Sequence, residues 1–140
     1  PADVAYIDPP YNQHSYLGNY HMWESLARWD KPETYGVANK RVDCRTRGSA
    51  FNRKRGFEET FARLIAAVQA PIMVVSFSNE GFMSPERMTE LLAGHGEVTT
   101  HRFDYKRYVG AQIGIHNPAG EKVGQVSHLR NEELLFVVRR

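Results

Sequence analysis

Four consecutive residues near the start of the chain carry groups that could activate a weakly nucleophilic amine: Asp8, Pro9, Pro10 and Tyr11. The amino group of a nucleobase is a poor nucleophile because its lone pair is delocalised into the ring, so a catalyst must accept hydrogen bonds from both N–H groups. The Asp8 carboxylate offers one acceptor and the Pro9 carbonyl offers the other. Neither proline has an N–H group that would compete for those acceptors. The Tyr11 ring can stack on the base, a contact worth about 1–3 kcal/mol.

The tetrapeptide directly follows Val4–Ile7, a short apolar run that predicts a buried strand. Because proline cannot donate to a β-ladder, the strand must stop at Asp8. In α/β sheets ligands bind at the carboxyl ends of the strands, which is where this order of residues places the tetrapeptide. The structural alternative is a strand that ends in a proline turn, with Asp8 only capping the chain.

The rest of the chain predicts a mixed α/β fold. Two apolar strands separated by helices, followed by several strands close together, predict a mixed sheet with antiparallel C-terminal strands. Helices are expected at Tyr20–Trp29, at Phe57–Val68 and between Ser84 and Gly94; further strands are expected at Ile72–Phe77, Glu97–Val109, Val123–Val126 and Leu134–Val138, with a turn at Asn117–Gly120. The aromatic residues predicted to lie in the core are Trp23, Trp29, Phe57 and Phe61.

Basic residues are concentrated in the segment Lys40–Arg55, here named the basic strip, which contains seven bases and one acid, Asp43. The strip carries +6, and because the whole chain carries +2, the remainder carries −4. Such a strip can follow a phosphate backbone and provide salt-dependent affinity. A solvated loop that only aids solubility explains the charge equally well. The stretch 31–56 shows no sustained periodicity, so we interpret it as a long basic loop.

The composition fits one soluble globular domain of 140 residues, of which 41% are hydrophobic and 24% charged. The longest run without a charged residue, Leu64–Asn79, is shorter than the ~20 residues of a membrane helix, so no membrane span is expected. The single cysteine, Cys44, excludes an internal disulfide and suits a reducing cytoplasm. No metal is predicted, because His14 and His21 lack partners at ligand spacing.

A family resemblance extends from the tetrapeptide along most of the chain. Asp8–Tyr11 followed by Asn12 resembles the catalytic motif of the amino-group methyltransferases. The continuation is similar to the adenine-specific DNA methyltransferases of the D12 class, the group that includes the Dam-like enzymes. The residues that carry this similarity are Gln13–Tyr16, Asn19–His21, Trp23 and Glu24, together with Ser78, Asn79 and the closing run Asn131–Leu135.

The resemblance implies a Rossmann-like fold that uses S-adenosylmethionine, and a defined reaction. An adenine is flipped out of duplex DNA, its exocyclic amino group is held at Asp8 and Pro9, and Tyr11 stacks on the ring while the methyl group is transferred in line. The implied partners are double-stranded DNA and a cognate restriction endonuclease, in the cytoplasm. The expected site comprises catalytic Asp8, Pro9, Pro10 and Tyr11, with Asp8 also facing the cofactor, and the substrate-binding residues Asn12, Asn79, Arg45, Arg47, Arg53, Lys54 and Arg55.

One element of the family pattern is not in this sequence. The family's glycine-rich Phe-x-Gly-x-Gly turn binds the methionine end of the cofactor and lies upstream of the catalytic motif, whereas Gly94–Gly96 follows a predicted helix and is interpreted as a C-cap. Residues 1–140, which open on Pro1 without a methionine, are therefore expected to be the catalytic, C-terminal part of a longer methyltransferase. Two other functions stay open: an RNA-base or protein-glutamine methyltransferase with a similar tetrapeptide, and a non-catalytic DNA-binding remnant.

Overall fold

A computed structural model describes residues 2–106, 115–116, 121–124 and 130–140. The chain divides into two compact units, here named the sheet unit (Pro1–Asp8 and Val68–Arg140) and the helical unit (Pro9–Ala67). In chain order the elements are β1 (Val4–Ile7), α1 (Tyr16–Arg28), β2 (Thr34–Tyr35), β3 (Lys40–Arg41), α2 (Phe57–Ala67), β4 (Ile72–Ser78), α3 (Pro85–Ala93), β5 (Glu97–Lys106), β6 (Ile115–His116), β7 (Lys122–Gly124) and β8 (Arg130–Arg139).

The sheet unit is built on a four-stranded mixed sheet with the strand order β1-β4-β8-β5. β1 runs parallel to β4, with Ile7 opposite Val75, while β8 is antiparallel to both β4 and β5. This arrangement confirms the predicted mixed sheet with antiparallel C-terminal strands. β6 and β7 form a separate two-stranded ladder. The expected turn at Asn117–Gly120 and the expected strand ends at Val109 and Val126 lie outside the described residues.

One face of this sheet forms the core of the sheet unit, because alternate side chains of β1, β4 and β8 point to the same side. The buried residues are Ile7, Met73, Val75, Phe77, Leu134, Phe136 and Val138. α3 contacts β5 and β8 and buries Met88 and Leu92. Ser84 caps this helix by accepting a hydrogen bond from the Arg87 N–H at 3.2 Å, and Pro85 fills the first turn, as predicted.

In the helical unit, α1 begins at Tyr16 rather than at the predicted Tyr20. The Ser15 hydroxyl caps the helix by accepting a hydrogen bond from the Gly18 N–H at 3.0 Å. The helix ends at Arg28, and Trp29 follows in the left-handed conformation with φ of 50°. α2 begins at Phe57 as predicted and buries three side chains at helical spacing, Phe57, Phe61 and Ile65.

The stretch 31–56 is not the irregular loop that its lack of periodicity predicted. β2 and β3 pair as a short antiparallel hairpin, and two 3-10 turns follow at Val42–Arg45 and Ala50–Asn52. Arg41 of β3 is only 3% exposed and contacts carboxylates of Asp30 and Asp43. Ion pairs at these separations, 11 and two residues, follow neither the helical nor the strand period, which explains why periodicity did not predict this order.

The prediction that Trp23 and Trp29 lie in the core is wrong, since they are 68% and 74% exposed. α1 instead buries His21. On the same side of the helix the Ser25 hydroxyl donates to the His21 carbonyl oxygen at 2.9 Å and accepts from Arg41 at 3.3 Å. The side of α1 that packs against the rest of the helical unit is therefore polar, whereas the predicted core residues of α2 are buried.

Within the described residues, no helix is long and apolar enough to cross a membrane. The same part of the chain brings together no three His, Cys, Asp or Glu side chains that could hold a metal ion. Cys44 is half-buried, and its thiol donates to the Leu17 carbonyl oxygen at 3.8 Å.

Candidate active site

Asp8 lies exposed at the carboxyl end of β1, the position that the sequence predicted. The prediction that β1 is buried is wrong, because it is an edge strand on which only Ile7 is buried, while Val4 and Tyr6 are exposed. Because β1 and β4 are parallel neighbours, their carboxyl ends meet at one edge of the sheet. Asn79, directly after β4, belongs to that same edge. The structure therefore places Asp8 and Asn79, two residues far apart in the sequence, at a common strand edge within the sheet unit.

Asn79 orders the turn that follows β4. Its backbone N–H donates to the Glu132 carbonyl oxygen at 3.1 Å, and its side-chain oxygen accepts from the Glu132 N–H at 3.2 Å. Beside it, the buried amide of Asn131 donates to the Glu80 carboxylate at 2.7 Å. These contacts fix the strand edge next to Asp8, and substrate contact by Asn79 stays a prediction. Sequence reasoning missed the Glu80–Asn131 pair, for which no local pattern exists.

The face of β4 opposite the apolar core carries polar side chains near this edge. Ser76 and Ser78 are buried there, and the Ser76 hydroxyl bonds to the Glu133 carboxylate of β8. The turn beyond them requires a glycine, because a Cβ at Gly81 would lie 2.4 Å from atoms of the Phe77 ring. A tight turn and a paired polar layer thus support the end of β4.

Pro9, Pro10 and Tyr11 begin the helical unit. Pro9 is buried, while Pro10 and Tyr11 are half-buried. The side-chain oxygen of Asn12 accepts a hydrogen bond from the His14 N–H at 2.9 Å, which closes a local turn. Direct contact between Asn12 and a substrate stays a prediction, since this oxygen already has a role in the turn.

A groove of about 300 Å³ in the helical unit reaches from Pro10 to Asn52. A second groove of about 430 Å³ extends along α1 and shares Tyr16, Leu17 and Arg47 with the first. The rings of Tyr16 and Tyr20 stack with centroids 6.1 Å apart. Exposed rings beside a guanidinium are groups to which nucleobases and phosphates bind.

The structure separates the basic strip into a paired part and an exposed part. Arg41 and Arg47 contact acidic side chains, and Arg45 lies over the Tyr35 ring at 3.9 Å. The exposed part consists of Arg53, Lys54 and Arg55, for which the described residues supply no acidic partner. Three consecutive cations are therefore available to an anionic ligand, whereas Arg41 forms ion pairs within the helical unit.

The paired part of the strip is organised around the buried guanidinium of Arg41. Asp30 accepts two hydrogen bonds from it, at 2.7 and 2.8 Å, and Asp43 accepts two at 3.1 Å. These bonds hold the pKa of Asp30 at about 2, below its usual value of 3.8, and they also lower the pKa of Asp43. The pKa of Arg41 is raised by the same contacts. The ion pair between Asp30 and Arg41 therefore connects the segment just after α1 to β3.

Asp30 should make the stability of the chain depend on pH under acidic conditions. The pKa of Asp30 is lower in the folded chain than the ordinary 3.8. Its contribution to the free energy of unfolding is therefore present above pH 3.8 and is lost as the pH falls through about 2. Asp30→Asn removes this titration, so its free energy of unfolding should fall less between about pH 4 and pH 2.5 than that of the native protein. Urea unfolding at both pH values is the measurement. The exposed Asp3, changed to Asn, is the control, and equal pH dependence in both variants would contradict the assignment.

Comparison with known proteins identifies the class to which the chain belongs. Residues 1–81 match the family model of the D12 class N6 adenine-specific DNA methyltransferases, and the chain is a member of this family. This result confirms the resemblance found in the sequence. The matched residues include the tetrapeptide Asp8–Tyr11 and the basic strip.

The chain is similar to several curated methyltransferases. It is 35% identical over 110 residues to the type II methyltransferase M.FokI of Planomicrobium okeanokoites, covering 76% of this chain and 17% of that protein. It is 32% identical over 121 residues to the modification methylase StsI of Streptococcus sanguinis, covering 80% and 18%. The type II methyltransferase M.NlaIII of Neisseria lactamica is 29% identical over 128 residues, with 91% of this chain and 37% of the relative covered.

The chain thus spans less than a fifth of the length of M.FokI and StsI, at 17% and 18%. No solved structure matches the chain significantly.

Proposed function

We propose that this chain is the catalytic, C-terminal part of a site-specific DNA methyltransferase that transfers a methyl group from S-adenosylmethionine to the exocyclic N6 of adenine. The observation that carries the proposal is the tetrapeptide Asp8–Tyr11 at the carboxyl end of β1 in a member of the D12 class. Strand ends of this kind are where α/β proteins bind ligands. The type II modification methylases to which the chain is similar support the same reaction.

Asp8 and the Pro9 carbonyl have complementary tasks in this proposal. Each accepts a hydrogen bond from one N–H of the adenine amino group, which favours a lone pair localised on N6. The methyl donor would supply the group by cleavage of its S–CH₃ bond and would leave as a neutral thioether. As the new N–C bond forms, positive charge develops on N6, and the Asp8 carboxylate stabilises it electrostatically. The proton that N6 then releases leaves toward Asp8 and solvent. Asp8 is exposed at the strand edge, so it is accessible both to the base and to water.

Bound S-adenosylmethionine would supply the activated methyl group. The residues at the strand edge suit such a group, because an exposed carboxylate at Asp8 attracts a positively charged methyl donor. Asp8 is therefore our candidate for contact with the cofactor. The glycine-rich turn that the family uses for the methionine end is not in the sequence, so we assign no other residue to the cofactor.

Tyr11 is proposed to stack on the adenine after the base leaves the duplex. Base flipping exposes both ring faces, and an aromatic side chain compensates part of the lost stacking, at about 1–3 kcal/mol per base. The ring follows two prolines, whose fixed φ angles limit the positions it can reach. Asn12 and Asn79 are candidates for polar contacts to the flipped nucleotide.

We also infer that the described sheet is part of a Rossmann-like methyltransferase domain. Its order places β1 at one edge of the four-stranded sheet, and Val4 and Tyr6 of this strand are 52% and 64% exposed. An edge strand has backbone N–H and C=O groups through which a further strand can pair, and the exposed apolar side chains of Val4 and Tyr6 offer a face that another element can cover. The short coverage of the relatives supports a domain that continues in the remainder of a longer protein.

Double-stranded DNA is the proposed partner of the basic strip. Arg53, Lys54 and Arg55 are placed to neutralise phosphates, while Arg45 and Arg47 offer further cations that already contact a ring and carboxylates. The names of the relatives, type II methyltransferase and modification methylase, support a role beside a cognate restriction endonuclease. A cytoplasmic location is part of the same proposal.

Product analysis of the full-length protein tests the proposed function. The enzyme is incubated with duplex DNA and S-adenosylmethionine carrying an isotopic label in its methyl group, and the DNA is digested to nucleosides. We expect the label in N6-methyl-2′-deoxyadenosine. Label in RNA bases or in protein glutamine would instead favour the related enzyme classes, and DNA binding without transfer would favour a non-catalytic remnant.

A further inference from the structure

Asn52 holds the segment that follows the catalytic tetrapeptide. Its side-chain NH₂ group donates to two backbone carbonyl oxygens, that of Asn12 at 2.9 Å and that of His14 at 3.1 Å. All three residues belong to the helical unit, and about 40 residues of sequence separate the donor from its acceptors. One side chain from the basic strip therefore fixes the backbone immediately after Tyr11.

Hydrogen bonding and ring packing support the turn that carries Asn52. It ends the 3-10 turn Ala50–Asn52, whose Ser49 hydroxyl accepts a hydrogen bond from the Phe51 N–H at 3.2 Å. The rings of Phe51 and Phe57 pack edge to face, with their centroids 6.2 Å apart and an interplanar angle of 80°. Phe57 is only 1% exposed, so the turn is anchored to the buried side of α2. The position of the Asn52 amide is thus set by packing.

Tyr11 lies between two restrained points of the backbone. On one side, Pro9 and Pro10 have φ angles fixed by their rings. On the other side, the carbonyl of Asn12 is held by Asn52, and the Asn12 side chain closes the turn to the His14 N–H. The backbone on both sides of Tyr11 is therefore restrained. Restraint of this kind matters because a misplacement of about 1 Å can cost ~10²-fold in rate.

We propose that Asn52 is a positioning residue for adenine methylation, acting through Asn12 and His14 to hold Tyr11 where it stacks on the flipped base. The proposal rests on the proposed function. It assigns to one residue of the basic strip a task other than phosphate binding. In this proposal Asn52 positions Tyr11 and does not contact phosphates. Its loss should therefore lower kcat far more than the affinity for DNA.

The first test compares Asn52→Ala and Asn52→Asp in the full-length enzyme. Asp has the size of Asn but lacks the NH₂ donors, so both variants should lower kcat by about 10–100-fold while Kd for duplex DNA stays within about threefold. Asn19→Asp is the matched control, since it makes the same charge change at an exposed asparagine of α1. Hydrogen exchange of the peptide covering residues 11–15 should become faster in the Asn52 variants and not in the control.

A double-mutant cycle with Tyr11→Ala tests whether Asn52 acts through Tyr11. If it does, Asn52→Ala should lower kcat by less than about threefold in the Tyr11→Ala background, because the effects of coupled residues are not additive. Equal losses in both backgrounds, or a kcat within twofold of the native enzyme, would overturn the proposal. A native enzyme without any transfer to DNA would refute the proposed function, whereas unchanged hydrogen exchange would refute the restraint by Asn52 regardless of activity.

Discussion

Asp8→Ala is expected to abolish nearly all methyl transfer while DNA binding stays within severalfold of the native value. In our assignment Asp8 accepts a hydrogen bond from the amino group and faces the positive charge that develops on N6, an interaction strongest in the transition state. Removing a single preorganised group of this kind costs about 10²–10³-fold in rate in other enzymes. Affinity for DNA comes mainly from phosphate contacts, which this substitution does not touch.

The rate is measured as transfer of a labelled methyl group to duplex DNA, and binding as a gel shift at the same salt concentration. Asp3→Ala removes a negative charge from an exposed residue just before β1 and is the matched control. We expect the control to keep native activity. Near-normal turnover of Asp8→Ala would refute the assignment of Asp8, and with it the acceptor pair that Asp8 forms with the Pro9 carbonyl.

Replacement of Arg53, Lys54 and Arg55 by Gln should flatten the salt dependence of DNA binding. Each neutralised phosphate contributes about −0.9 to the slope of log affinity against log salt, so the triple variant should lose roughly 1–3 units of slope. These three cations are exposed and lack acidic partners within the described part of the chain, which leaves them free for phosphates. Affinity should fall alike for all sequences, because phosphate contacts do not read bases.

The control for the triple variant removes the same total charge from residues that pair with carboxylates. Arg28, Arg87 and Arg102 contact Asp30, Glu90 and Glu132 at 2.9, 2.8 and 2.9 Å, and their replacement by Gln should leave the slope nearly unchanged. Loss of binding confined to the cognate site would mean that the strip reads base edges. An unchanged slope in the test variant would mean that Arg53, Lys54 and Arg55 are only solvated surface charges.

Local patterns in the sequence predicted the strands of the four-stranded sheet and the helices α2 and α3. The apolar run Ile72–Phe77 predicted β4, and the proline and acids at Ser84–Glu86 predicted the start of α3. The position of the tetrapeptide Asp8–Tyr11 at the end of β1 could be predicted, because two prolines end a strand whatever surrounds them. Asp8 and Asn79 could be expected at one edge, since parallel neighbours bring their carboxyl ends together.

The helical unit depended on tertiary structure to a greater degree. Nothing in the sequence distinguished Arg41, which is buried between Asp30 and Asp43, from the exposed cations of the same strip. Trp23 and Trp29 were expected in the core because they are large aromatic residues, yet both are exposed, and α1 instead contacts Arg41 through the Ser25 hydroxyl.

The sequence by itself determined the strands of the four-stranded sheet, the helices α2 and α3, the family and the chemical groups of the candidate site, because propensity, capping and periodicity act between near neighbours. Only the tertiary structure decided which cations are exposed and which side chain bonds to the backbone just after Tyr11. The amide of Asn52 meets the carbonyl oxygens of Asn12 and His14 across a long stretch of chain. Backbone carbonyls are the same in every residue, so a contact to them leaves no signature in the side chains and becomes visible only when the chain is folded.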